Sequence, residues 1–184
     1  LIRIGDANLH LHRKGEALVA YLGALKINPR YLYPSFQAAC ILVDLGRSEE
    51  SIEHFRRVIC ARPRQLGEDP VFERAASLYA HHSLGIILAG RGQYEEARGL
   101  LEGALRNDPS NQRALLNLAM TLSKLGLHQE ALGQFQRALD MDRDNPGVLH
   151  LYGCALRDAG HFRKAREVFK RVILIDPGFE QSRK

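Results

Sequence analysis

His150 and Cys154 stand four residues apart, a spacing that puts both side chains on one face of a helix and offers an imidazole and a thiol to a soft divalent metal. Two donors do not make a zinc site, and lining a groove is the commoner job for such a pair, so no metal is expected. Among the other histidines, His10 and His12 diverge on a helix, and His81 and His82 are neighbours. The three cysteines, Cys40, Cys60 and Cys154, are odd in number and show none of the CxxC spacings of zinc or redox sites. Free thiols point to a reducing compartment, and the chain is read as cytoplasmic. Glycine-rich phosphate loops, HExxH and GxSxG are all missing. Neither a cofactor nor catalysis is expected from these residues.

The surrounding composition is that of a folding chain. Its 184 residues are 45% hydrophobic, 26% charged and 7% aromatic, within the globular range. No run approaches the roughly 18 apolar residues that a membrane span needs. The opening LIRIGDANLH starts on Leu1 and lacks the features of a signal peptide, so the chain reads as a fragment of a longer one. A formal net charge of +5 raises the question of a nucleic-acid partner until the charges are placed. Residues 1–31 carry 5 basic and 2 acidic groups (+3), residues 146–184 carry 8 and 4 (+4), and the middle from 32 to 145 carries 13 and 15 (−2). A nucleic-acid binder needs a continuous basic stripe interleaved with aromatics, whereas Arg163, Lys164, Arg166, Lys170 and Arg171 read as a solvated helix face. The pattern therefore argues against nucleic acid.

Side chains need elements to hold them, and the elements follow from an internal period. Gly92, Gly126 and Gly160 are spaced by 34, as are Ala97, Ala131 and Ala165, and the pair Phe135 and Phe169. Stacking on that period gives units at about 1–31, 32–65, 78–111, 112–145 and 146–179, with an insertion at 66–77. One column is small throughout, Gly5, Ala39, Gly85, Ala119 and Gly153, which lets two helices cross closely. Columns further on, such as Ala97, Leu101 and Ala104, are spaced by four and then three residues and mark the buried face of a second helix. Between the two helices stand Gly46, Gly92, Gly126 or Gly160, where a left-handed helix terminator is wanted. The second helix ends at Asn28-Pro29, Asp108-Pro109 or Asp176-Pro177. Each unit is a helical hairpin.

On these residues the chain resembles the tetratricopeptide repeat family, whose 34-residue pattern is W-x2-L-G-x2-Y, then A-x3-F, then P. Departures are local. Leu1, Ser35, His81, Leu115 and Leu149 fill the tryptophan column, Asn8, Leu42, Leu88, Leu122 and Leu156 the tyrosine column, Arg143 replaces a closing proline, and His12 replaces the first turn glycine. The resemblance implies an all-α fold, a right-handed superhelix of five hairpins in a single array, with the first helix of each pair lining a concave groove. Pro177-Gly178-Phe179-Glu180-Gln181 reads as the start of another helix, and an uncapped end would favour self-association. In the insertion, Asp69-Pro70 reads as a helix start, and Val71, Ala75, Leu78 and His82 continue as an apolar stripe, extending the third unit's first helix to about 70–90.

The groove stripe then falls at Tyr33, Phe36, Gln37, Tyr79, His82, Ser83, Arg113, Asn117, Met120, Lys124, His150 and Arg157. It is aromatic and apolar on the N-terminal side and gains cations toward the C-terminal side, which suits a peptide carrying apolar side chains and an acidic segment. The residues by which some family members clamp a terminal carboxylate are absent: Phe36 and Cys40, His82 and Ile86, or Leu116 and Met120 occupy those places. Of the asparagine ladder seen in other branches only Asn117 fits. The leading reading is a non-catalytic protein-interaction scaffold. The alternatives are a targeting domain of a larger enzyme, such as a glycosyltransferase, and a self-assembling scaffold.

Overall fold

The structure is a computed structural model that describes residues 1–61 and 70–179. Ten helices and no strand are found among the described residues: α1 (Ile2–His10), α2 (Lys14–Ile27), α3 (Leu32–Asp44), α4 (Ser48–Cys60), α5 (Pro70–Gly90), α6 (Tyr94–Asn107), α7 (Gln112–Lys124), α8 (His128–Met141), α9 (Pro146–Asp158) and α10 (Phe162–Ile175), with α1 packed on α2, α3 on α4, α7 on α8 and α9 on α10. These are the five hairpins of the 34-residue period. The chain divides into two compact units, Leu1–Ile87 and Leu88–Lys184. None of the described helices is long and apolar enough to cross a membrane.

One turn is used five times. Gly46, Gly92, Gly126 and Gly160 all have φ between +73° and +79°, and His12 takes the same left-handed place at φ 58°. Glycine adopts this conformation without steric cost, while His12 does so against its Cβ. Each turn is closed by an amide reaching back to the tyrosine column: Arg13 to Asn8, Arg47 to Leu42, Gln93 to Leu88, Leu127 to Leu122 and His161 to Leu156, at 2.8–2.9 Å. This bond satisfies a carbonyl that the end of the first helix would leave unpaired. The link from one hairpin to the next also repeats. Asn28, Asp108 and Asp176 each accept, through Oδ1, the amide two residues on, at 3.0, 3.1 and 3.0 Å. Proline at the intervening position has no amide to lose there. Whether a helix starts beyond Phe179 lies outside the described residues, as does the cap expected at Asp69.

Within each unit the hairpins stack through the columns that the period singles out. In the first unit Ala17, Tyr21, Ala38 and Ile41 close one core. In the second, Ala119, Phe135 and Ala155 close another. The small column is small because rings lie across it: a Cβ on Gly5 would fall 2.6 Å from the Tyr21 ring, and one on Gly153 would fall 2.5 Å from that of Phe169.

The insertion contributes the first turns of α5, since that helix begins at Pro70, as expected. The phase of its apolar stripe differs from the sequence expectation. Val71 is 73% exposed and Ala75 is exposed, while Ala76, Ala80, Leu84 and Leu88 are buried. Apolar residues cover more than half of the helix surface here, so two helical phases fit it equally. Aromatic side chains of α3 decide between them by taking Phe72.

Candidate peptide-binding surfaces

All twelve groove residues lie on first helices, and none is buried. In the first unit, α3 carries Tyr33, Phe36 and Gln37, and α5 carries Tyr79, His82 and Ser83. Their spacings of three and four keep each set on one helix face. A continuous run of rings joins them. Tyr33 meets the Phe72 ring at 5.5 Å, Phe72 meets Phe36 at 5.7 Å, Phe36 meets Tyr79 at 5.7 Å, and Tyr79 meets Phe55 at 6.1 Å. Such edge and tilted contacts each contribute beyond the apolar area they bury.

Tyr33 is more firmly held than its neighbours. Its hydroxyl donates to Asp6 Oδ1 at 2.8 Å, and the buried Tyr21 donates to the same oxygen at 2.6 Å. Asp6 thereby ties α1, α2 and α3 together. Burial raises the pKa of both phenols, and the adjacent carboxylate adds to the rise. Burial also raises that of Tyr79, which nonetheless keeps 41% of its surface exposed. Within this run Tyr33 braces the helices, Phe36 is half-buried, and Tyr79 presents the most accessible aromatic surface.

The second unit's surface is cationic. Arg113, Asn117, Met120 and Lys124 follow one another at intervals of four, three and four along α7. Arg113 and Lys124 are exposed and make no ion pair among the described residues, and Met120 between them is 46% exposed. On α9, Arg157 is exposed and pairs with Asp158 at 3.2 Å. His150 sits against two rings, Phe169 at 5.7 Å and Phe179 at 5.4 Å. Its pKa is lowered, first by burial and then by Arg157. Neutral imidazole in an aromatic setting is a packing surface with one polar edge.

The chemistry first considered is not assembled. Cys154 Sγ lies 3.6 Å from His150 Nε2, but among the described residues no three His, Cys, Asp or Glu side chains gather as metal ligands. Burial raises the Cys154 pKa and pushes the Cys40 thiol up to about 12, so neither sulfur is a ready nucleophile near neutral pH.

Three contributors escaped the sequence reading. Phe72 lies in the insertion, where Phe72, Ala76 and Ala80 at intervals of four form one of two stripes that the period fits equally. Phe179 stands two residues after Pro177, where Tyr31 follows Pro29, and that equivalence was its signal. Asp6 had no signal, because only the fold brings it to Tyr21 and Tyr33.

Tetratricopeptide repeat family models match residues 35–64, 82–146 and 126–183. Comparison with curated protein sequences finds no match. Among solved structures, YrrB, described as a tetratricopeptide repeat protein with an unusual peptide-binding site, is similar at a TM-score of 0.83 and 20% identity, over 98% of this chain and 87% of that one. MamA is similar at a TM-score of 0.78 and 18% identity, over 95% of each chain. MamA from Desulfovibrio magneticus RS-1, residues 41 to the end, is similar at a TM-score of 0.77 and 19% identity, over 97% of this chain and 94% of that one. Five hairpins on a 34-residue period, the recurrent left-handed turn and these matches agree: the chain belongs to the tetratricopeptide repeat family.

Proposed function

We propose that the chain is a non-catalytic protein-interaction module whose first-helix faces take an extended or helical peptide segment of a partner protein. In this reading the first unit receives apolar side chains at Phe36 and Tyr79, and the second receives carboxylates at Arg113, Lys124 and Arg157. The observation that carries it is the α7 row, where Arg113 and Lys124 stand exposed on one face without an ion-pair partner among the described residues and flank an exposed methionine. Elsewhere Arg47 has Glu50 and Arg98 has Glu102 three or four residues away, pairs that stabilise a helix, and Arg113 and Lys124 have none. YrrB, with its peptide-binding site, supports the same reading by analogy of fold.

The test is selection of binders from a random peptide library on the intact chain, followed by affinity measurements on Tyr79→Ala and on the pair Arg113→Ala with Arg157→Ala. Selected peptides should be enriched in aromatic or large aliphatic residues and in Asp or Glu. Each variant should weaken binding by about tenfold or more, as interface anchors do. Helical content by circular dichroism should be unchanged. Peptides without acidic enrichment, or acidic peptides that bind the arginine variant as well as the wild type, would refute the charge assignment.

A further inference from the structure

The outer face of α10 is not used by the proposed peptide-binding surfaces, and its composition sets it apart. Phe162, Arg166, Lys170 and Leu174 follow at intervals of four and form a single ridge, with Arg163 beside it and Lys164 on another side of the helix. The opposite side of the helix supplies the buried Ala165 and Val172. The two apolar ends of the ridge are turned out to solvent, Phe162 at 68% and Leu174 at 82% exposure. Arg163, Lys164, Arg166 and Lys170 are exposed and make no ion pair among the described residues, while Arg171 is neutralised by Asp144 at 2.7 Å.

The repeat makes the departure measurable. The position of Lys164 holds Glu16, Glu50, Glu96 and Glu130 in the other four second helices. Glutamate there favours the positive end of the helix dipole, and lysine opposes it. Over its whole length α10 carries five cations against the single carboxylate Glu167, whereas α4 carries three glutamates against two arginines, and α6 likewise. The cationic excess of this helix, with Arg163, Arg166 and Lys170 set between two large exposed apolar side chains on one ridge, suits a partner outside the chain.

We infer that this ridge docks the protein on an anionic lipid surface, with Arg163, Arg166 and Lys170 among the headgroups and Phe162 and Leu174 in the headgroup–acyl boundary. The ridge is about 18 Å long at 1.5 Å per residue, long enough to lie along a bilayer and much too short to cross one. A fluid array of negative headgroups accepts such a cluster without a matched cleft, and the apolar side chains at each end bury as the helix settles. A shallow hollow of about 400 Å³ against Gly160, His161, Phe162, Arg163 and Lys164 adds room for a headgroup at the start of the helix. An acidic protein helix would satisfy the charges equally well, but would need two apolar depressions spaced to receive Phe162 and Leu174.

The experiment is cosedimentation of the full chain with vesicles of phosphatidylcholine alone and of phosphatidylcholine with about one third phosphatidylserine. The chain should bind the mixed vesicles and not the neutral ones. The triple variant Arg163→Glu, Arg166→Glu, Lys170→Glu should lose at least about tenfold in apparent affinity, and added salt should weaken the wild type in the same direction. Phe162→Ser with Leu174→Ser should also weaken binding while leaving the salt dependence in place. A charge-matched control, Arg13→Glu, Arg30→Glu, Arg106→Glu, should bind as the wild type does. The inference is overturned if the wild type ignores the mixed vesicles, if both triple variants fall equally, or if polyglutamate binds the ridge and the vesicles do not.

Discussion

Gly153→Ala puts a methyl group where the structure has no room for one. Its Cβ would lie 2.5 Å from Phe169 Cε1 and 2.9 Å from Cδ1 and Cζ, inside any real carbon contact. The ring is not free to retreat, because it packs on His150, which also meets Phe179. Forcing an extra methyl into such a site costs about 1–3 kcal/mol. Replacing glycine by alanine inside a helix gains back about 1 kcal/mol, so the net expectation runs from near zero to a loss of about 2 kcal/mol. The comparison that isolates the packing cost is Gly133→Ala. Gly133 is also interior to a helix of the second unit, yet nothing lies within 4 Å of its added Cβ. It should gain about 1 kcal/mol, so the two variants should differ by about 1–3 kcal/mol. For a chain of this length that is a gap of roughly 2–12 °C between their thermal midpoints, followed by far-ultraviolet circular dichroism. Phe169→Leu in the Gly153→Ala background should recover part of the loss. If Gly153→Ala stabilises as much as Gly133→Ala, the close crossing of α9 and α10 is not what keeps this column small.

Three other expectations rest on single observations. His12→Gly relieves the left-handed strain at φ 58° and should raise stability by about 1 kcal/mol in urea unfolding, without changing the slope of the transition. Asp6→Ala strips the shared carboxylate acceptor from Tyr21 and Tyr33 and leaves the two buried or half-buried hydroxyls only each other; a loss of about 1–3 kcal/mol is expected, and Tyr33→Phe, which keeps the Tyr21–Asp6 bond, should lose less. The His54 pKa is lowered, first by burial and then by Arg57, so its neutral form stabilises the fold above its unfolded value near 6.5 and that stability is lost as pH falls through 6.5 toward the lower folded value. His54→Gln should therefore show a shallower loss of stability than the wild type between about pH 7 and 5.

The fold was legible because each column does one job five times. A glycine that recurs at the same place in four units needs a backbone reason, and four positive φ values supply it. His12, read as a replacement in that column, adopts the same conformation, which shows that the position is set by the turn and not by the residue. The helix ends followed from Asn28-Pro29 and Asp108-Pro109 for the same kind of reason. What stayed hidden is whatever does not repeat. The stripe through the insertion was misphased because it occurs once, and with apolar residues over more than half of the helix surface the period alone cannot choose a face. Asp6 was hidden because it lies 15 and 27 residues from the tyrosines that use it, distances that no local pattern spans. The face of the candidate surfaces could be read from helical spacing. The division of labour within it, Tyr33 bracing while Tyr79 remains open, depends on three-dimensional neighbours.

The same reasoning says where function should be sought in a repeat array. A unit that packs only on its neighbours imposes the same demands at the same column, so selection for folding alone drives each column toward one residue type. Departures then fall into two kinds. Some are absorbed by the neighbours, as when glycine rather than alanine faces the ring at Gly153, and these are visible as tight packing. Others are absorbed by nothing inside the chain. Lys164 stands at the wrong end of a helix dipole, and Arg113 stands without a carboxylate, whereas Lys124 at least complements the end of α7. An exposed cation costs little, so one such residue means nothing. Several on one ridge or one face, none with an ion-pair partner among the described residues, call for a common counter-charge from outside. On α7 that counter-charge is assigned to a peptide carboxylate and on α10 to a lipid headgroup, and the two assignments separate cleanly. Arg113→Ala should leave vesicle binding intact, and the α10 charge reversals should leave affinity for the selected peptides intact. Loss of both by either variant would mean that the cations act only through net charge, and neither surface would then be a site.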